Sequence, residues 1–271
     1  MSVATPNRRW LLFGSFVLTY LSVAASWLLP GRPLWPTLIG ALLCGAVIAI
    51  GVASFRSGIF GAVVYRGRAA EGALALTFDD GPDPVHTLRV ADLLEEAGQR
   101  GTFFLVGERA RAHPEVAQAL VERGHEVGIH SYRHSLAHNF PSMSMLWRDF
   151  RESSRAVEEA CGRWPRLYRP PVGLLNPRIL RVARQGDWVV VGWSVRARDG
   201  VRTEPERVQQ RVLARLDAGD VVLMHDRIAS GEPAALAALP GILREMERRG
   251  LRSVGLSELL GTPAWGSPPE R

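Results

Sequence analysis

Lysine is absent from this chain, and its first 70 residues contain no aspartate or glutamate. All 33 basic residues are arginine. Six of them (Arg8, Arg9, Arg32, Arg56, Arg66, Arg68) lie in 1–70, and the other 27 are matched by 27 acidic residues. The net charge of +6 is therefore N-terminal, while 71–271 is formally neutral. With no basic domain face and no nucleic-acid motif, no nucleic-acid partner is expected. Cysteine is scarce: Cys44 and Cys161 make no disulfide framework and offer no cysteine-ligated metal site. No short repeat or low-complexity tract appears.

Charge is also missing from two long runs, 10–31 and 33–55. Each matches the ~20 apolar residues that cross a hydrocarbon core of ~30 Å. Pro30-Gly31-Arg32-Pro33 reads as the turn between them, so 1–56 reads as a membrane segment with spans near 10–29 and 34–55. A cleaved signal peptide is the alternative, with Arg8-Arg9 ahead of the first run and small residues at Ala24-Ala25-Ser26. The length of the first run and the immediate second span favour a retained hairpin. Arginines before the first span and after the second outnumber the one in the loop, which favours both termini, and the domain that follows, on the cytoplasmic side.

Beyond a linker at 57–72, apolar runs at 73–76, 102–106, 126–129, 188–191, 221–224 and 253–256 alternate with helical patterns. The helical stretches are 86–100, 113–123, 146–161, 177–185, 204–216 and 236–249, and another short run precedes Arg169. This alternation predicts an α/β domain with a parallel sheet over 73–260, followed by a loose proline-containing tail at 261–271.

Thr77-Phe78-Asp79-Asp80-Gly81-Pro82 puts two adjacent carboxylates where a buried strand ends at a Gly-Pro break. That edge is where α/β sheets build their sites. Neighbouring carboxylates repel, so the pair asks for a cation or a strong donor; read alone, it is also compatible with a solvated Asp-Gly turn. Downstream, His130-Ser131-Tyr132-Arg133-His134 offers two histidines at i and i+4, which face one way if the segment turns helical. Asp80, His130 and His134 would then form an open two-histidine, one-carboxylate metal set.

These motifs resemble the NodB-homology polysaccharide deacetylases, carbohydrate esterase family 4. Arg169-Pro170-Pro171-Val172-Gly173 is similar to the family's third motif, Trp193 to Asp199 to a degraded fourth, and Leu223-Met224-His225 to its fifth. The resemblance implies an irregular (β/α) barrel and a divalent metal, Zn²⁺ by preference, held by Asp80, His130 and His134. It also implies Asp79 as general base, Arg169 orienting Asp79, and His225 as general acid charged by Asp199. The oxyanion would meet a backbone N–H near Val172, with Pro171 and Leu223 lining the substrate. Read singly, Arg169 is a surface arginine, His225-Asp226 a strand-end pair and Asp199 a turn residue. His86, His113, His125 and His138 are left as structural or solvated.

The expected activity is hydrolysis of an N-acetyl or similar N-acyl group on an amino sugar of a glycan or lipid-linked saccharide. The alternatives are a catalytically idle glycan-binding or scaffolding relative, and a deacylase of a non-sugar amide. Three departures bear on substrate: Val172 stands where relatives usually have an aromatic, Arg196 where they have an acid, and Gly200 where they have tryptophan. Weaker aromatic stacking and a nearby arginine suit an anionic, phosphate-linked sugar at the membrane.

Overall fold

The computed structural model describes residues 3–31, 33–67, 70–135 and 142–269; His138 lies outside them. The chain opens with β1 (Val3–Ala4), then α1 (Arg9–Leu28) and α2 (Trp35–Ala53), and returns through β2 (Val64–Arg66), which pairs antiparallel with β1. The two helices form a hairpin closed by small residues. Thr19 Oγ1 donates to the Gly40 carbonyl (2.9 Å), and the Ser26 and Thr37 hydroxyls meet at 2.9 Å. A Cβ on Gly40 would lie 2.2 Å from Ser22 Oγ, so only glycine permits this approach. Outward, Trp10, Phe13, Phe16, Leu28, Leu38 and Leu42 are exposed. Both helices are long and apolar enough to cross a membrane.

The α/β domain follows as β3 (Ala73–Asp79), α3 (His86–Glu96), β4 (Gly101–Leu105), α4 (Gly107–Ala112), α5 (Pro114–Glu122), β5 (Glu126–Ile129) and α6 (Met143–Cys161). It continues with β6 (Trp164–Pro165), β7 (Leu167–Tyr168), α7 (Pro177–Gln185), β8 (Val189–Val190), β9 (Val195–Arg196), α8 (Pro205–Leu213) and β10 (Val221–His225). α9 (Ala234–Arg248), β11 (Arg252–Ser253), α10 (Leu256–Leu260) and β12 (Trp265–Gly266) complete it. The main sheet runs β8-β7-β5-β4-β3-β10-β9, all pairs parallel, with β11 alongside the start of β3. β8 and β9 do not pair; β2 sits across that gap, bridging Val64 to Val191 and Arg66 to Asp220. The result is the expected irregular barrel, curled and incompletely closed.

Parallel strands covered on both faces should read as continuous apolar runs. Accordingly every residue of β3 and β4 is buried. Leu74, Leu76, Phe78, Phe103 and Leu105 sit in one core with Leu94 of α3 and Phe150 of α6, all fully buried. Truncating such a leucine to alanine costs about 2–5 kcal/mol. The register then aligns the carboxyl ends: Asp79 lies beside Phe104 and His225, and Ile129 beside Leu105 and Tyr168. The residues that follow β3, β5, β7 and β10 therefore share one rim.

Several local expectations differ from what is found. The stretch 57–72 holds β2 and the buried side chains of Ile59, Phe60 and Val63, and within 261–271 β12 pairs with β6. Both segments carry enough apolar surface to be drawn onto the domain. Residues 107–112 form a helix that polar Gly-Glu-Arg-Ala-Arg does not announce. The apolar run 253–256 divides because Gly255 caps α10. The hairpin is also stitched to the domain. Phe55, two residues past α2, meets the Trp193 indole edge-on at 4.8 Å, and the Leu175 N–H donates to the Val52 carbonyl at 3.2 Å.

Candidate active site

Asp79 ends β3, and Asp80 follows with φ 78°, a left-handed turn that aspartate tolerates better than most residues. The turn needs Gly81: a Cβ there would lie 2.4 Å from Asp226 Oδ2. His130 directly follows β5. The loop beyond it is not helical as expected; Ser131 (φ 62°) and His134 (φ 50°) bend the chain back instead, and the Ser131 hydroxyl accepts from the His134 N–H at 2.9 Å. The first N–H groups of α4 hold this loop, Gly107 donating to the Ser131 carbonyl (3.0 Å) and Glu108 to that of Tyr132 (2.9 Å).

These bends bring Asp80, His130 and His134 together, with candidate ligand atoms all within 4.8 Å of one another. Nε2 of His134 lies 3.2 Å and Nε2 of His130 3.6 Å from Asp80 Oδ1. The His130 Nδ1–H donates to the Arg169 carbonyl (2.7 Å), which fixes the tautomer and leaves Nε2 with its lone pair facing the cluster. Burial, with the positive neighbours, lowers the His130 pKa to about 3, outweighing Asp80, so the ring is neutral and able to ligate. Among the described residues, Asp80 Oδ1 is buried without a hydrogen-bond donor. A buried carboxylate oxygen without a donor, facing two imidazole nitrogens, fits a divalent cation.

Asp79 is held on the other side. Arg169, fully buried, donates to Asp79 Oδ1 (2.7 Å), to Thr77 Oγ1 (2.8 Å) and to the Gly192 carbonyl (3.1 Å). Its guanidinium also lies 4.1 Å from the Phe104 ring centre. Burial lowers the Arg169 pKa from its ordinary value, opposed by the charge and hydrogen bond of Asp79. Asp79 Oδ2 remains 3.8 Å from His130 Nε2.

His225 ends β10 in register with Asp79. Its Nδ1–H donates to Asp199 Oδ1 and its backbone N–H to Oδ2, each at 2.9 Å, and Asp199 is fully buried. Burial pulls the His225 pKa down, but the Asp199 hydrogen bond and charge, with Asp79 and Asp80, raise it to about 9. A Cβ on Gly200 would come 3.1 Å from His225 Cε1 and Nε2, so the glycine leaves that face of the ring open.

The remaining expected residues join the site less directly. Pro171 is buried and Val172 half-exposed on the loop after Arg169, where Val172 takes φ 58°, an unusual value for a β-branched residue. Leu223 is buried in β10, in register with Thr77 and Arg196. Arg196 is exposed, its guanidinium 5.6 Å from the Trp193 ring centre. His125 is buried, its Nδ1 accepting from the Gly101 N–H (3.1 Å).

Four contributors escaped the sequence reading. Thr77 braces Arg169, and Arg109 donates to the Asp80 carbonyl. Asp226 is fully buried behind Gly81 and accepts from Thr87 Oγ1 at 2.5 Å; burial, aided by the charge of Asp80, raises its pKa to about 7. The alternation of β3, which sends Thr77 and Asp79 to one face, was the available signal for Thr77. The others come from helices and strand ends that only the fold brings near.

Comparison with known proteins shows the family of the chain. The family model for polysaccharide deacetylases matches residues 66–191. A peptidoglycan-N-acetylglucosamine deacetylase of Bacillus cereus is 35% identical over 195 residues, covering 70% of this chain and 89% of that protein. A chitooligosaccharide deacetylase of a Bradyrhizobium species is 32% identical, over 68% of this chain and 89% of that one. Among solved structures, a family 4 carbohydrate esterase from Streptomyces lividans superimposes with a TM-score of 0.64 at 31% identity, over 73% of this chain and 98% of that one. A family 4 pseudoenzyme from Bacillus anthracis gives 0.66 at 25%, over 72% and 68%. This chain belongs to the polysaccharide deacetylase family.

Proposed function

We propose that this chain hydrolyses the N-acetyl group of an amino sugar, with Asp80, His130 and His134 holding a divalent cation, Zn²⁺ by preference. The observation that supports it most is the donor-less buried Asp80 Oδ1 facing two imidazole nitrogens, next to an ion-paired Asp79. When bound, the cation would supply Lewis-acid polarisation of the amide carbonyl and a lowered pKa for water. Asp79, kept in place by Arg169, takes the proton of the attacking water. The Val172 N–H is offered to the oxyanion, and Pro171 and Leu223 shape the wall beside it. His225, charged through Asp199, delivers a proton to the departing nitrogen, without which an amine anion would have to leave. All of these groups are present, which favours an enzyme over an idle relative.

Under the same reading α1 and α2 are retained spans and 73–260 is the catalytic domain, on the cytoplasmic side. The five arginines flanking the two spans (Arg8, Arg9, Arg56, Arg66 and Arg68), against Arg32 alone in the loop, support that orientation. A membrane-held catalytic domain, an arginine at 196 and no aromatic at 172 together favour a lipid-linked amino sugar over a long polymer. The Asp79→Asn protein is expected to bind Zn²⁺ yet release acetate 10²–10⁴-fold more slowly; release at the wild-type rate refutes the role of Asp79. A C-terminal reporter fusion that is active outside the cytoplasm overturns the orientation.

A further inference from the structure

A cavity of about 970 Å³ lies away from the Asp79–Asp80 cluster, between the start of α1, the stretch 60–64 and α7. Its wall includes Arg9, Arg178, Arg181 and Arg184. α7 buries Ile179, Val182 and Ala183, which leaves arginines at i, i+3 and i+6 to align on its other side. The one acid in the wall, Asp187, is engaged by Arg166 at 2.6 Å. Among the described residues Arg9, Arg181 and Arg184 have no carboxylate partner. Those three guanidinium groups on one wall, without carboxylate partners, offer a receptor for an anion, and tetrahedral phosphate oxygens suit their donors.

The position of the cavity selects the anion's source. Arg9 is the first residue of α1, and the exposed Trp10 and Phe13 follow it at once. The cavity therefore opens where the polar chain gives way to an apolar helix, with a tryptophan at the boundary as at a membrane interface. A lipid whose phosphate entered among the arginines could lay its acyl chains along α1. We infer that this cavity binds the headgroup of an anionic phospholipid, clamping α7 and the start of α1 to the membrane surface. The assignment rests on reading α1 as a membrane helix. It does not depend on the proposed deacetylase chemistry.

The full chain, purified in neutral detergent, is titrated calorimetrically with dioctanoyl phosphatidylglycerol, with dioctanoyl phosphatidylcholine and with inorganic phosphate. Saturable phosphatidylglycerol binding is expected, at least tenfold tighter than for either of the others, and weakening as salt rises. Arg181→Ala with Arg184→Ala should weaken it on the order of thirtyfold, from about 1 kcal/mol per arginine at an anionic surface. Arg244→Ala, on α9, should leave it unchanged. Equal binding of the two lipids, or wild-type affinity in the double variant, overturns the inference. Inorganic phosphate binding as tightly as phosphatidylglycerol removes the lipid and leaves a soluble-phosphate site. Acetate release from a soluble acetylated chitooligosaccharide reports the fold of each variant and tests the deacetylase reading separately, while carbonate extraction of membranes reports the span. Should the double variant not fold, the lipid comparison and salt dependence of the wild-type protein still decide.

Discussion

Replacing Asp199 by asparagine should move the alkaline limit of activity. In the wild-type protein Asp199 accepts from both Nδ1–H and the backbone N–H of His225, and the His225 pKa stands at about 9 against an ordinary 6.5. That difference is worth about 3 kcal/mol at about 1.4 kcal/mol per pKa unit. Asparagine fills the same space, but its single carbonyl can satisfy only one of the two N–H donors and it carries no charge. Burial then acts on the imidazolium with less to oppose it, and its pKa should fall to 6.5 or below. At pH 8 the protonated fraction drops from about 90% to about 3%, a roughly thirtyfold loss of the acid form. The assay is kcat/KM for acetate release from a soluble acetylated chitooligosaccharide between pH 5.5 and 10, at fixed Zn²⁺. A bound cation offsets part of the Asp79 and Asp80 contribution, so the wild-type limit should fall somewhat below 9 while the variant's falls further. Stability carries the same signature. A pKa raised on folding stabilises fully below about 6.5 and loses that contribution as pH rises through about 9. The stability deficit of Asp199→Asn should thus be largest near pH 6 and shrink towards pH 10. An unchanged alkaline limit in the variant refutes the role of Asp199 and, with it, His225 as the acid.

Other perturbations separate folding from chemistry. Arg169→Met strands the buried Asp79 charge and should destabilise the protein by about 3–5 kcal/mol in urea unfolding, with acetate release lost. Arg169→Lys should rescue neither fully, because one ammonium cannot reproduce the guanidinium's bonds to Asp79, Thr77 and Gly192. Asp80→Asn should leave the metal-free protein as stable as wild type or slightly more so, since the carboxylate it replaces has a buried Oδ1 lacking a donor, while calorimetric Zn²⁺ affinity falls at least a hundredfold. Gly81→Ala should lower Tm and activity together, because its Cβ would sit 2.4 Å from Asp226 Oδ2.

The site was legible where its residues sit in short, chemically unusual runs at strand ends. Asp79, Asp80, His130 and His134 announce themselves because adjacent carboxylates and closely spaced histidines are awkward without a shared partner. The parallel sheet was legible from the alternation of apolar runs and helical patterns, whereas its curling into a barrel was implied by the family resemblance. The conformation of the histidine loop was not: spacing i, i+4 is satisfied by a helix and equally by the two left-handed residues found, Ser131 and His134. Thr77 and Asp226 were hidden because their partners, Arg169 and Thr87, lie 92 and 139 residues away. The strand at 64–66 was read as linker because its pairing partners, β1 and the rim between β8 and β9, exist only once the barrel has curled.

With α1 and α2 in a bilayer, the stitching of α2 to the barrel would set the working range of the site. The Val52 carbonyl is bonded to Leu175, three residues from Val172, and Phe55 abuts Trp193. In a bilayer such a joint has no slack: the catalytic mouth would ride at a set height above the lipid and could sample only what comes to that plane. With a lipid-linked substrate, such an enzyme would meet it by lateral diffusion in two dimensions. Lengthening the joint with flexible residues would then trade access to the membrane plane for reach, without touching a catalytic group.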